Sequence, residues 1–170
     1  MDLKSVIRDI PDFPKPGIIF KDITPLMKHP QAFRETVDLL VKSVEDLGVT
    51  DVVGIEARGF IFGSALALRL GVGFVPIRKP RKLPYETISE SYSLEYGTDS
   101  IEMHNDALTK DDRVVLVDDL LATGGTMQAA VRLVEKTGAK AACIRFVVEL
   151  AFLKGREKLA GYDVRSLMTF

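Results

Sequence analysis

The strongest constraint on the fold is a rhythm. Short apolar runs rich in valine and isoleucine alternate with helix-length stretches, and a glycine closes each stretch. Residues 51–56 (DVVGIE) read as a buried strand, 59–70 (GFIFGSALALRL) as a helix stopped by Gly71, and 73–78 (GFVPIR) as the next strand. Residues 113–117, 125–136 and 141–150 repeat the order strand, helix, strand, with Gly138 as the stop. Strands joined through helices imply crossovers and a parallel sheet, hence an α/β fold. Ligands of such sheets sit beyond the carboxyl ends of the strands. That rule sets residues 56–59, 78–82 and 118–126 along one rim.

Two regions depart from the rhythm. The first 28 residues carry Pro11, Pro14, Pro16 and Pro25. That density excludes long helix and reads as an extended arm with a short strand at 17–21. Residues 29–48 then read as a helix. Pro30 suits its first turn, Phe33, Val37, Leu40, Val41, Val44 and Leu47 form one stripe, and Gly48 ends it. Residues 80–107 are the second departure. "TISESYSLEYGTDSIEMH" reads as a polar hairpin turning near 97–99, with Tyr92, Leu94 and Tyr96 in period two. A long excursion between core strands is a lid, a binding loop or an interface.

Composition narrows the function classes. At 170 residues the chain suits one domain with a real core. Its formal net charge of -1 gives no broad grip on nucleic acid, so any anion site is local. The N-terminus carries acids and lacks the apolar run of a signal peptide. No apolar stretch approaches the ~20 residues that span a bilayer. The single cysteine, Cys143, sits in an apolar run and reads as a buried small hydrophobe. His29 and His104 are separated and leave too few ligands for zinc. A reducing, cytoplasmic setting fits.

The chemistry concentrates in "VVLVDDLLATGGT", residues 114–126. Its glycines let consecutive N–H groups converge, the following helix start adds partial positive charge, and Thr123 and Thr126 add hydroxyls. A phosphate monoester fits that turn. No G-x-x-x-x-G-K-[ST] is present, and no G-x-G-x-x-G follows a strand, so neither a Walker loop nor a dinucleotide fingerprint explains it. A carboxylate beside a phosphate is repulsive unless it binds something else. Asp118 and Asp119 therefore suit either a metal shared with phosphates or the vicinal hydroxyls of a sugar, since an ionised aspartate only accepts. The order acid, acid, anion turn suggests a ribose 5-phosphate, with its hydroxyls at Asp118 and Asp119 and its phosphate at 122–126. The bland alternative is a helix cap preceded by solvated acids.

Other charges gather on the same rim. Arg58 in "GIEARGF" stands where a strand passes into a helix, and a guanidinium there can clamp two phosphate oxygens. Arg78, Lys79, Arg81 and Lys82 in "IRKPRKLPYE" concentrate positive charge suited to a leaving diphosphate. Glu95 in "SYSLEYG" could shuttle a proton if its loop closes over the site.

"VVLVDDLLATGGT" resembles the phosphoribosyl-diphosphate signature of the type I phosphoribosyltransferases. The likeness runs from about residue 5 to the C-terminus and includes "ELAFLKGREKL" (149–159). It implies that family's fold: a central, mostly parallel sheet flanked by helices, an N-terminal hood over residues 1–28 and a mobile hairpin lid over 80–107, within one domain of residues 1–170. It implies that Ala122, Thr123, Gly124, Gly125 and Thr126 grip the 5-phosphate while Asp118 and Asp119 hold the ribose. Ala57, Arg58, Arg78, Lys79 and Lys82 would meet the diphosphate, with a strained peptide at Ala57–Arg58. Mg²⁺ would arrive through the diphosphate, with no metal ligand from the protein.

"SYSLEYG" resembles the mobile-loop motif of the adenine phosphoribosyltransferases, which implies that Glu95 is the catalytic acid/base, beside Tyr96. "FPKPGIIFKDITP" (13–25) is similar to their adenine-side hood. Phe20 would border the purine, backbone groups at Ile19 and Lys21 would read its edge, and Leu120 would close the opposite face. The sequence departs from many relatives at Arg81, where they carry glycine, and at Tyr85. The resemblance implies transfer of ribose 5-phosphate from phosphoribosyl diphosphate to adenine, a homodimer, and no nucleic-acid or membrane partner. Two other readings stay open: a regulator that senses phosphoribosyl diphosphate without turnover, and the same transfer to another base.

Overall fold

The computed structural model describes residues 1–94 and 96–170. Their contacts gather into two compact units, Met1–Leu39 and Leu40–Phe170.

In the first unit the proline-dense arm is a hairpin rather than one strand. β1 (Arg8–Pro11) pairs antiparallel with β2 (Ile19–Asp22), Arg8 opposite Asp22 and Pro11 opposite Ile19. Both strands are four residues long, too short for alternation to announce them. Asp22 then accepts from the Thr24 amide and hydroxyl, both at 2.9 Å, opening the single turn α1 (Thr24–Lys28). The Phe13 and Phe20 rings meet edge to face at 5.2 Å. Lys21 Nζ donates to Asp9 at 2.6 Å.

The long helix α2 (Pro30–Lys42) begins at the expected proline but stops short of Gly48. The cause lies far along the chain. The Arg145 guanidinium takes the Ser43 carbonyl at 2.9 Å and its hydroxyl at 3.0 Å. Arg113 Nε takes the Leu47 carbonyl at 2.6 Å. The chain therefore passes through turns before it reaches Gly48 at φ +64°.

The second unit holds the predicted parallel sheet. Its strands are β3 (Asp51–Ile55), β4 (Gly73–Ile77), β7 (Arg113–Leu121), β8 (Lys140–Glu149) and β9 (Val164–Thr169), in the order β4-β3-β7-β8-β9. Every neighbouring pair is parallel. The helices α3 (Arg58–Leu70) and α4 (Gly125–Lys136) connect β3 to β4 and β7 to β8. These two crossovers run in opposite directions, so right-handedness puts their helices on opposite faces. The order reverses between β3 and β7, which makes their carboxyl ends the binding crevice.

The core follows. Val53, Ile55, Leu116, Ile144 and Phe146 pack with Met127, Ala130, Val131 and Val134 of α4. Each large side chain buried there contributes roughly 1.5–3 kcal/mol. Cys143 is fully buried, and burial pushes its thiol up to about 11, so it behaves as a small hydrophobe. Arg145 on β8 is also fully buried. Besides Ser43, it donates to the Ile144 and Asp163 carbonyls at 2.9 Å and to the Asp163 carboxylate at 2.8 Å.

The excursion at 80–107 is a hairpin of β5 (Thr87–Ser93) and β6 (Thr98–His104). Its turn falls slightly earlier than expected, before Thr98, and Asp99 lies within β6. The hairpin also packs on the sheet and on α4. Ile101 and Met103 belong to the main core. Arg132 and Lys136 of α4 pair with Glu90 at 3.1 and 2.8 Å, and Arg78 exchanges backbone hydrogen bonds with Glu102. β9 was not anticipated. It is an edge strand of mostly half-exposed residues, without the apolar run of its neighbours.

Candidate functional site

β7 is longer than its apolar run suggested. It continues to Leu121, so Asp118, Asp119 and Leu120 stand on the strand itself. The ladder with β8 fixes them, Asp118 opposite Phe146 and Leu120 opposite Val148. Alternation then points successive side chains in different directions. Asp118 Oδ1 accepts the Asp119 amide at 2.8 Å. Burial, then the charge of Asp119 beside it, pushes the Asp118 carboxyl well above the ordinary aspartate range.

Asp119 is 6% exposed and holds Arg58 Nε at 2.5 Å. Arg58 is the first residue of α3, at the end of β3. The contact therefore ties the two strand ends at the switch point to one another. The peptide bond out of the ordinary is the cis Glu56–Ala57 bond, one bond before the Ala57–Arg58 link that the resemblance implied.

The basic loop closes the same cleft, which has a volume of about 270 Å³ and borders on Ala57, Arg58, Lys79, Asp118 and Leu120. Two of its cations, Arg78 and Lys79, are held by carboxylates that the sequence did not single out. Glu56 accepts Arg78 Nε at 2.6 Å and the Lys79 amide at 2.9 Å. Burial works to raise the Glu56 carboxyl, and these donors together hold it below its usual value. Lys79 Nζ bonds Asp99 of β6 and, at 3.2 Å, the Tyr92 hydroxyl of β5. Lys82 is exposed, and its carbonyl accepts Arg78 Nη1 at 3.4 Å.

The backbone at Arg81 favours the glycine that the resemblance implied for this position. Its φ is +64°, a left-handed backbone that glycine adopts at no cost. Arg81→Gly is expected to stabilise the fold by up to about 1 kcal/mol, raising Tm by roughly 2–4 °C, the glycine's extra unfolded-state freedom offsetting part of the relief. A lower Tm in a thermal melt would show that the arginine compensates for its backbone.

The anion turn starts at the end of β7. Gly124 is at φ +85° and caps α4, and the Gln128 amide returns to its carbonyl at 3.0 Å. A Cβ on Gly124 would come within 2.5 Å of the Gly155 carbonyl oxygen, and one on Gly155 within 2.4 Å of the Ala122 carbonyl oxygen. The turn is thus seated backbone to backbone on a distant segment. Ala122, Thr123, Gly125 and Thr126 border the small cavity above it, together with Asp118 and Leu120.

Among the expected site residues, the structure brings 57–58, Lys79, 118–120 and 122–126 to one end of the sheet. Ile19, Phe20 and Lys21 belong to the first unit, in β2. Glu95 lies outside the described residues. Glu56, Asp99, Tyr92 and Gly155 were missed. Glu56, directly after a strand in the same rim, carried the only local signal.

Comparison with known proteins adds the rest. Residues 23–168 match the phosphoribosyl transferase domain family. The chain is 60% identical over 170 residues to an adenine phosphoribosyltransferase of Carboxydothermus hydrogenoformans, and 58% identical over 170 residues to one of Kosmotoga olearia, with 100% of every chain covered. Among solved structures it is similar to adenine phosphoribosyltransferase from Thermoanaerobacter pseudethanolicus, at TM-score 0.97 and 56% identity, covering 99% of this chain and 98% of that one. It is also similar to the Giardia lamblia enzyme complexed with 9-deazaadenine, at TM-score 0.94 and 40% identity, covering 99% and 96%.

Proposed function

The chain belongs to the adenine phosphoribosyltransferases of the phosphoribosyl transferase domain family, and from that premise we propose how its residues divide the reaction. It transfers ribose 5-phosphate from phosphoribosyl diphosphate to adenine, giving AMP and diphosphate. The bond from sugar C1 to the diphosphate oxygen breaks, the bond from C1 to adenine N9 forms, and N9 gives up its proton.

The observation that carries the assignment of roles is the Arg58–Asp119 bridge across the switch point. It sets a ribose-holding carboxylate beside a guanidinium suited to phosphate. Asp118 and Asp119 hold the ribose hydroxyls and tolerate positive charge developing at C1. Residues 122–126 grip the 5-phosphate. Arg58, Arg78, Lys79 and Lys82, with the Ala57 backbone, steady the departing diphosphate. Ile19, Phe20 and Lys21 of the hood, with Leu120, take the adenine.

Mg²⁺ suits this donor set as a companion of the diphosphate. Among the described residues no three His, Cys, Asp or Glu side chains cluster as a cage, and Mg²⁺ characteristically binds through phosphates and waters. When bound, it neutralises charge on the leaving group. A homodimer is the proposed assembly, with the outer face of α3 as its surface, since Ile61 and Leu68 are 40% and 83% exposed there. Sedimentation at the mass of one chain would refute it. Among the described residues no helix is long and apolar enough to cross a membrane, and the proposed setting is the cytoplasm.

Incubation with adenine, phosphoribosyl diphosphate and Mg²⁺ is expected to yield AMP; binding without AMP would make the protein a sensor instead. Competition among adenine, hypoxanthine, guanine and orotate tests the base. Glu95 takes the N9 proton in this scheme. Glu95→Leu is expected to lower kcat by roughly 10²–10⁴-fold while leaving affinity for phosphoribosyl diphosphate unchanged. Undiminished turnover would remove Glu95 from the mechanism.

A further inference from the structure

The phosphate turn has no cation of its own. Residues 122–126 offer N–H groups, two hydroxyls and the start of α4, but no formal positive charge. Asp118 and Asp119 stand just upstream. A phosphate monoester carries about -1.5 to -2 charges at neutral pH. Partial dipoles alone must then hold a dianion beside two carboxyl groups. Of the cations of the basic loop, Arg78 and Lys79 are each engaged by a carboxylate, Glu56 and Asp99.

The segment Gly155–Leu159 places one more cation at the turn. Lys158 Nζ lies 3.9 Å from where a Cβ on Gly125 would stand. With Thr123 and Thr126, Lys158 borders a cleft of about 610 Å³ that Tyr92, Ser93 and Leu94 close on the hairpin side. Among the described residues no carboxylate pairs with its ammonium.

Its backbone is fixed from several directions. Arg156 forks onto Glu149 at 2.7 and 2.8 Å, and Ser166 donates to the same carboxylate at 2.6 Å. Gln128 Nε2 of α4 donates to the Lys158 carbonyl at 3.1 Å. Gly155 is in backbone contact with Gly124. The segment is therefore clamped to β8, to α4 and to the turn itself, which leaves the lysine a short reach into the cleft.

We propose that Lys158 binds the 5-phosphate of the ribosyl substrate, supplying the positive charge that the turn at 122–126 lacks. The proposal rests on the ribose 5-phosphate reading of that turn. It assigns the "KGREKL" stretch a direct part in substrate binding, beyond the seat that Gly155 provides.

Calorimetric titration with ribose 5-phosphate, which needs no turnover, separates this proposal from the reaction as a whole. Lys158→Gln is expected to weaken ribose 5-phosphate binding about tenfold, the scale of one charge-assisted hydrogen bond open to water. In steady state the KM for phosphoribosyl diphosphate should rise by a similar factor, with the adenine KM and kcat within about twofold of wild type. Lys158→Arg should recover most of the affinity. Lys140→Gln, at the opposite end of β8, should change neither. Equal affinity of wild type and Lys158→Gln for ribose 5-phosphate overturns the proposal, provided both melt alike. Lysine-dependent binding without AMP formation would uphold it while sinking the transfer reaction.

Discussion

Gly124→Ala is expected to cut turnover at limiting phosphoribosyl diphosphate by about a hundredfold or more, the scale on which an ångström of misplacement is felt. Two independent costs meet at this residue. Its φ of +85° is left-handed, and a Cβ there would sit 2.5 Å from the Gly155 carbonyl oxygen, with two more Gly155 backbone atoms within 3.3 Å. The obstacle is backbone, so no rotamer relieves it. Either the turn lifts off its seat or the seat moves, and both disperse the N–H groups proposed to hold the 5-phosphate. The fold should lose roughly 2–3 kcal/mol, from the backbone conformation and the overpacking together. Gly125→Ala is a fair contrast, because its Cβ would meet nothing nearer than 3.6 Å. A Gly124→Ala protein with wild-type KM for phosphoribosyl diphosphate would show that this seat does not shape the turn.

Asp163→Asn is expected to destabilise the fold by about 3 kcal/mol, near the lower end for breaking a buried pair, because the Asp163 side chain is 39% exposed. The variant leaves the Arg145 guanidinium, itself fully buried, without its carboxylate. For a chain of this size Tm should fall by roughly 6–12 °C. The pH dependence has a definite sign. Burial works to raise the Asp163 carboxyl, but Arg145, helped by Arg165, holds it below its ordinary value. A carboxyl lowered in the folded state contributes stability that is complete above the unfolded value of about 3.9 and fades as pH falls through the folded value. The urea midpoints of wild type and Asp163→Asn should therefore differ by a constant amount at neutral pH and converge below about pH 4. A gap that widens in acid would mean that the pair does not set the difference.

The legible parts of the fold were those written locally. β3, α3, β4 and α4 were found nearly to the residue because burial imposes a period on each and a glycine ends each helix. α2 was overextended because its stop is set by Arg145, a residue far along the chain that no window around Ser43 contains. β9 escaped because an edge strand needs only part of one face apolar. The site divides the same way. Asp118, Asp119 and the turn proposed to hold the phosphate announced themselves as one contiguous motif, and Arg58 as a cation at a strand end. The pairings that set their electrostatics, Arg58 with Asp119, Lys79 with Asp99 and Arg78 with Glu56, join residues distant in sequence. Lys158 belongs to that non-local class, since the packing of Gly155 against Gly124 and the Gln128 bond to its carbonyl bring it to the turn. The adenine contacts rested on family likeness from the start, because an aromatic in a proline-rich arm does not specify a purine.

The seat of Gly124 on Gly155 also bears on how the protein is made. Synthesis runs from the N-terminus, so a nascent chain displays both aspartates, the basic loop and the whole turn before residue 155 has left the ribosome. Until then the turn has nothing beneath it. Competence to capture the sugar phosphate should arrive abruptly, with the closing stretch of translation, and a message truncated just short of that point would encode both aspartates, the basic loop and the turn, and none of the grip.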